Sequence, residues 1–454
     1  MFCAKCGTEC QPENRFCKSC GAPVGSVAGG QQPAAAAQPA AHWQAPPGMP
    51  PGVPPGMVPV MYQAYPGGPQ QVYYVPAQGA QARTGGGFLE GVRGKIRELA
   101  STDKLEGFSL GQTFSETFKK RGADDLEEYM MVGSSRTTPP IELVETGWPK
   151  PWMFFRQLGL FAIAFAVLYG VFKFTGNEPL VPAIMFMGAF AVPIAVLIFI
   201  FEMNTPRNVS VLLIGKLFVM GGLAAICAVS FEYMNTVAGK VPGIVEETAK
   251  LAAVILVVRS ARYKYELNGI LFGAAVGAGF AAFETTWYAM QSFLPALIQA
   301  LVQQGLQVQQ AFSNATTAMV DELVVRGVLA PFGHMPWTAI AAGAFWRVKQ
   351  DRPTSASMLG NASFLKTLAI PIVMHTLWDA SVVFPNIPGA LSIALWIGTG
   401  VTTWYVLFGL IQQGLRQVRD TQKAQLQSTL AHVEATLGPG MARVQTPMPP
   451  VPVA

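Results

Sequence analysis

The chain has 454 residues, 51% of them hydrophobic and only 13% charged, with a formal net charge of +5. That balance excludes an ordinary soluble enzyme and points to a polytopic membrane protein. The hydrophobic mass lies between Pro151 and Leu415, and the stretches on either side are polar or low in complexity.

Residues 1–23 carry two CxxC knuckles, Cys3 with Cys6 and Cys17 with Cys20, each followed by a glycine that lets backbone amides turn towards sulfur. Four thiolates at this spacing suit tetrahedral zinc, and so small a unit needs the metal to fold. The unit resembles the short zinc ribbons that precede many bacterial membrane proteins. Two disulfides are the competing reading, disfavoured by the reducing compartment that the loop charges imply. Cys10 is left over, and Cys227 reads as a small apolar helix residue. No basic and aromatic patch flanks the ribbon, so a structural role or a cytosolic protein partner is expected rather than nucleic acid. The same residues lack the apolar run of a signal peptide, and none is expected.

Residues 24–86 are mainly Ala, Gln, Pro and Gly, a composition that cannot bury a core, and a disordered tether is expected. Residues 87–150 show helix-like apolar spacing and read as a small cytosolic helical segment. It enters the membrane through GWPKPWMFFR, with Trp148 and Trp152 as expected interfacial anchors.

Eight apolar segments follow, an all-α arrangement: Trp152–Phe174, Leu180–Phe201, Val209–Phe231, Pro242–Val258, Gly269–Phe293, Met319–Phe345, Leu365–Val383 and Ala390–Ile411. A span needs roughly 17 to 25 residues. The fourth reaches that length only if VEETAK is included, so its carboxylates are drawn into the bilayer. Lysines and arginines cluster in one set of loops (Arg207; Arg259, Arg262, Lys264; Arg347, Lys349, Arg352; Arg416, Arg419, Lys423). An even number of spans with both termini cytoplasmic, in the inner membrane, satisfies every loop. The loop after the fifth span, with Leu297, Leu301, Gly305, Val308 and Phe312 on one face, predicts an uncharged helix along the outer membrane surface. Residues 416–438 predict a cytosolic amphipathic helix, and 439–454 a disordered tail.

Ionisable groups at bilayer depth are costly, and each is a functional candidate. On the fourth span Lys250 lies one turn from both Glu246 and Glu247. The fifth carries Glu284 and Tyr288 on one face beneath the small-residue run GAAVGAG. The sixth carries His334, and the seventh His375 with Asp379 one turn on. At 1.5 Å per residue, Glu246, Glu284, His334 and His375 fall roughly 13 to 24 Å from the basic end of their helices. Carboxylates and imidazoles at one depth suit hydrolysis of a peptide bond. A glutamate takes a proton from water, imidazoles bind zinc or orient the water, and a neighbouring carboxylate sets a histidine tautomer. Asp321, Glu322 and Arg326 are read as a solvated or interfacial group near the outer end of the sixth span. Lys216 snorkels, and Glu202 sits at a helix end.

EETAK, FETTWY, GHMPWTA and HTLWD resemble the motifs of the PrsW family of bacterial intramembrane proteases, related to the CAAX prenyl-protease and bacteriocin-processing superfamily. The resemblance covers Lys240 to Asp379 and implies an intramembrane endopeptidase with Glu246, Glu247, Glu284, His334 and His375 in its active site. Founding members make the first cut in membrane-bound anti-sigma factors. That implies a membrane-embedded protein substrate of the same general kind, although the substrate itself does not transfer with family membership.

The mechanism expected is a glutamate-activated water, with Glu246 favoured over Glu247 as base, in a probable metallo- or glutamate-type hydrolase. His334 and His375 are candidate zinc ligands or proton-transfer groups, Glu247 or Glu284 completes the metal shell or holds a histidine, and Lys250, Tyr288 and Asp379 support. A purely glutamate and histidine mechanism stays open at this point. The competing reading, a transporter or a lipid- or prenyl-binding protein using the same polar cluster, is weakened by the lack of an internal repeat of the spans. An inactive scaffold that recruits partners through ribbon and tether is the third.

Overall fold

In the computed structural model, the residues described are 57–63, 70–76, 105, 107–120, 130–134, 136–235, 241–380 and 388–437. The cysteine ribbon, most of the tether and the tail lie outside them.

Nine helices carry the apolar region among the described residues: α1 (Met153–Thr175), α2 (Leu180–Met203), α3 (Val211–Met234), α4 (Pro242–Val257), α5 (Glu266–Ile298), α6 (Val308–Leu329), α7 (His334–Lys349), α8 (Ala362–Trp378) and α9 (Gly389–Leu437). By length and composition α1, α2, α3, α5 with its continuation to Gln303, and α9 are long and apolar enough to cross a membrane. This is a multi-pass membrane protein with five helices that meet that measure, against eight expected spans. α8 is apolar but shorter, and α4, α6 and α7 carry the polar groups.

The hub is α5, of whose most apolar stretch 94% is buried inside the protein. It packs on α2, α3, α6 and α7. The small-residue run makes this possible, because neighbouring backbones approach where a side chain would stand. A Cβ on Gly279 would collide with the backbone of Phe218 on α3, and one on Gly277 would come within 2.6 Å of the His334 carbonyl and 2.7 Å of Met335 Cα on α7. Gly277→Val is therefore expected to push α5 and α7 apart at a cost of roughly 1–3 kcal/mol, read as a lowered thermal midpoint in detergent. An unchanged midpoint would contradict this packing.

Polar ties close the basic end of the bundle. Asn268 donates to Asn204 (3.0 Å) and Asn208 (2.6 Å), and Arg347 pairs with the buried Glu266 at 3.0 Å. Glu202 is more than a residue at a helix end. Its carboxylate accepts from the backbone N–H groups of Trp152, Met153 and Phe154 at 2.7–3.0 Å, satisfying donors that the first turn of α1 leaves open.

Several expectations change. The sixth span is not one helix: α6 ends at Leu329, a 3-10 turn covers Ala330–Phe332, and α7 starts at His334. Pro331 cannot donate to the preceding turn and its ring crowds the carbonyl four residues back, so the helix breaks there. The freed Pro331 carbonyl accepts from Trp404 Nε1 at 2.9 Å. The expected surface helix around Gly305 is divided as well. α5 runs to Ile298 and a π-turn covers Gln299–Gln303; Gly305 takes a left-handed φ of +63°, and α6 begins at Val308. That conformation suits a glycine that ends a helix.

The last span and the amphipathic helix after it are one continuous α9. Trp152 turns inward, buried beneath the Arg156 guanidinium, and Trp148 packs on Phe108 and Phe408. Within residues 87–150 the described part holds a single helical turn at Leu110–Thr113 and a 3-10 turn at Ile141–Leu143. The rest is a strap held at the basic end, where Gln422 of α9 donates to the carbonyls of Ile141, Glu142 and Val144. Within the tether, strands β1 (Met57–Gln63) and β2 (Gln70–Pro76) pair as a two-stranded sheet, their Val, Met and Tyr content suiting a strand.

Candidate active site

Four helices bring the intramembrane polar residues together. α4 supplies Glu246, Glu247 and Lys250 from one face, where the turn spacing places Lys250 below both carboxylates. Lys250 is fully buried, and its ammonium donates to Glu246 Oε2 (3.0 Å), Glu247 Oε1 (2.8 Å) and His334 Nδ1 (2.8 Å). It also lies 4.0 Å from the centroid of the Phe280 ring. A charge so deep is tolerable only when its partners are as close as these.

His334 is held from the far side. It opens α7 directly after the break, and its Nε2 lies 2.7 Å from Glu284 Oε2 of α5. His375, near the end of α8, mirrors it: Nδ1 lies 3.1 Å from Glu247 Oε1, while Nε2 lies 3.2 Å from Asp379 Oδ2. The Trp337 indole stacks on the His375 ring, with centroids 4.6 Å apart and planes at 27°. His334 is thus fixed by a carboxylate on Nε2 and turned with Nδ1 towards Glu246, whereas His375 is fixed by Glu247 on Nδ1 and shares Nε2 between Asp379 and Glu246.

The point of convergence is Glu246 Oε2, which lies 3.6 Å from His334 Nδ1 and 3.6 Å from His375 Nε2. Donor atoms of Glu246, His334 and His375 all fall within 4.8 Å of one another. Ligands of a tetrahedral zinc, at bonds near 2.1 Å, sit about 3.4 Å apart, so one carboxylate oxygen with two imidazole nitrogens each 3.6 Å from it fits a divalent metal. Charge agrees with that fit. Among the ion-paired groups, four carboxylates (Glu246, Glu247, Glu284, Asp379) meet two fixed cations (Lys250, Arg326), and with neutral imidazoles two of these negative charges lack a match. An imidazole lone pair serves one cation at a time, so Lys250 has to release His334 Nδ1 when a metal takes it.

The two neighbouring glutamates differ. Glu247 is fully buried and commits both oxygens, Oε1 to Lys250 and His375 and Oε2 to the Thr338 hydroxyl at 3.5 Å. Glu246 commits Oε2, and its Oε1 makes no hydrogen bond among the described residues.

Two residues join the cluster that the sequence placed elsewhere or passed over. Arg326, read as part of a solvated or interfacial group, makes its salt bridge to Glu284 at 2.7 Å, donates to Thr285 Oγ1, and stacks over the Tyr288 ring at 4.1 Å. Tyr288 accordingly reaches the site through Arg326. Glu232, near the end of α3, has a buried carboxylate oxygen without a hydrogen-bond partner among the described residues and lies within electrostatic reach of Glu246, Glu284, Lys250 and His375. The sequence reading ends its third span at Phe231, one residue short, although a carboxylate following an apolar run was the available signal.

The sequence profile described as PrsW family intramembrane metalloprotease matches residues 178–411, just over half of the chain. No curated protein and no solved structure matches it. The matched stretch contains every member of the buried glutamate and histidine cluster. The chain belongs to the PrsW family of intramembrane metalloproteases, and it is a hydrolase of peptide bonds.

Proposed function

We propose that Glu246 takes the proton from the attacking water and delivers it to the leaving nitrogen. One observation carries this reading: Glu246 meets both imidazoles through Oε2 and keeps Oε1 uncommitted, whereas Glu247 has no oxygen to spare. As the water oxygen bonds to the scissile carbonyl carbon, its proton passes to Glu246; as the C–N bond breaks, that proton goes to nitrogen. His334, His375 and Glu246 would hold the metal, with zinc the ion that this donor set suits. When bound, it polarises the carbonyl and acidifies the water. Glu284 and Glu247 orient the two histidines, and Asp379 supports His375. Lys250 balances the glutamate pair.

The substrate class is a membrane-anchored protein, cut near the outer surface of the cytoplasmic membrane, with both termini of the protease cytoplasmic. The positive loops support that orientation. Cys3, Cys6, Cys17 and Cys20 hold a structural zinc in a ribbon that docks a cytosolic partner.

Glu246→Gln and His334→Ala, introduced separately in the producing cell, should each stabilise the same single-span proteins in the membrane proteome. Protection of none by either variant overturns the assignment. With the four ribbon cysteines changed to serine, the full-length protein should retain about one zinc per chain, the occupancy of a single site of this kind, and His375→Ala should lose it. An active preparation free of metal would remove zinc from the mechanism.

A further inference from the structure

The reaction assigned above has no use for Glu232, yet the fold aims this side chain at the reacting centre. On α3, Leu217, Gly221, Ala225 and Ala228 are all buried and follow one another at three- and four-residue steps along one helix face. Glu232 is the next residue in that series. The face lies on α5, where a Cβ on Gly221 would meet the Val276 carbonyl. Seven residues connect α3 to α4, and the two helices pack on each other, as antiparallel neighbours joined by so short a link do. Glu232 stands two residues from the end of α3 and Glu246 four residues from the start of α4, about 3 and 6 Å of rise from the same connection. The two carboxylates therefore sit at nearly one depth.

Neither cation of the cluster is spent on Glu232. Lys250 has three N–H bonds and directs them to Glu246, Glu247 and His334. Arg326 gives Nη2 to Glu284 and Nε to Thr285. The Oε1 atom of Glu232 is buried without a hydrogen-bond partner among the described residues, and the carboxylates of Glu246 and Glu284 are in electrostatic reach. A buried acceptor left open is costly. In this company a plain N–H would satisfy the oxygen without offsetting its charge, whereas a cation does both. Glu232 is half-buried, with Tyr233 and Met234 beside it exposed, so its carboxylate can be approached from outside the bundle. The component of the reaction still to enter by that route is the substrate.

We propose that Glu232 is a substrate-binding residue which receives a lysine or arginine side chain of the membrane protein being cut, close to the scissile bond, and so makes the protease select a basic residue there. The inference rests on Glu246, His334 and His375 forming the reacting centre, the reading made above.

The test uses full-length protein in liposomes with a single-span reporter randomised on both flanks of its span, the cuts being mapped by mass spectrometry of the products. Wild type should enrich Lys and Arg at one position near the cut. Glu232→Gln should lose that enrichment, and Glu232→Lys should turn it into a preference for Asp and Glu at the same position. With a reporter carrying lysine there, Glu232→Gln should raise KM about 10- to 100-fold, the worth of a hydrogen bond between charged groups. It should move kcat less than about twofold, as for an interaction made equally in the ground and transition states.

Replacing that lysine by glutamine in the reporter should raise KM for the wild-type protein to the same extent and leave KM for Glu232→Gln where it was. The wild-type half of this comparison keeps the test decisive if Glu232→Gln does not accumulate. Cuts without a basic preference in the wild type overturn the proposal, as does a preference that survives in Glu232→Gln, or a fall in kcat with KM unchanged. Failure of the underlying reading is separate: Glu246→Gln would then cut the reporters as fast as wild type, whatever residues flank the cut.

Discussion

Glutamine at position 246 is expected to lower kcat by about 10²- to 10⁴-fold, the range over which a positioned general base contributes, with the folded protein intact. The side chain keeps its volume, and Lys250 keeps Glu247 at 2.8 Å, so no buried charge is abandoned. What disappears is the proton acceptor and, with it, the charged oxygen proposed to share the metal with two imidazoles that cannot replace it. One of them has a nitrogen committed to Glu284, the other a nitrogen committed to Glu247. Turnover of a reconstituted single-span substrate, measured beside a thermal melt, separates the two effects. Glu246→Gln turning over within about tenfold of wild type would mean that the base, worth at least 10² in such reactions, lies elsewhere.

Glutamine at position 247 should behave in the opposite way, with stability as the main loss. Glu247 is fully buried and accepts from both Lys250 and His375, so neutralising it removes the closer of the two carboxylates on Lys250, leaving Glu246 at 3.0 Å, and takes away the acceptor that holds His375 Nδ1. Removing one member of such a pair costs about 3–5 kcal/mol, and removing both costs less. The expected result is a large fall in thermal midpoint for Glu247→Gln that is partly recovered in Glu247→Gln with Lys250→Met. A double variant no more stable than the single one would show that the buried pair is not what the protein depends on at this position.

Much of this architecture could be read from the chain, for reasons that particular residues make plain. Apolar runs bounded by basic loops mark spans by composition alone, and helices at Leu180, Pro242 and Gly389 begin within one residue of where hydropathy sets them. The pairing of Lys250 with both glutamates follows from helical spacing within six residues and needed no tertiary knowledge. Arg326 did not follow. It was read on an unbroken sixth span, and hydropathy averaging has no term for the missing N–H of Pro331 that bends the chain just before His334. Glu232 was lost to a boundary drawn one residue early. The division of labour between Glu246 and Glu247 was also beyond the sequence, because adjacent residues on a helix point about 100° apart and only their neighbours on α7 and α8 decide which oxygen is spent.

The shortness of α4 has its own consequence. Sixteen residues rise about 24 Å, against roughly 30 Å of hydrocarbon, and tilting would only widen that deficit. Negative hydrophobic mismatch of this kind is met by local thinning of the bilayer around the helix. Glu246 stands four residues from Pro242, about 6 Å of rise, so a dimple relieving the mismatch at that end of α4 would bring bulk water close to this carboxylate. A helix shorter than the membrane around it would thereby supply the second reactant of a hydrolysis carried out inside a lipid layer.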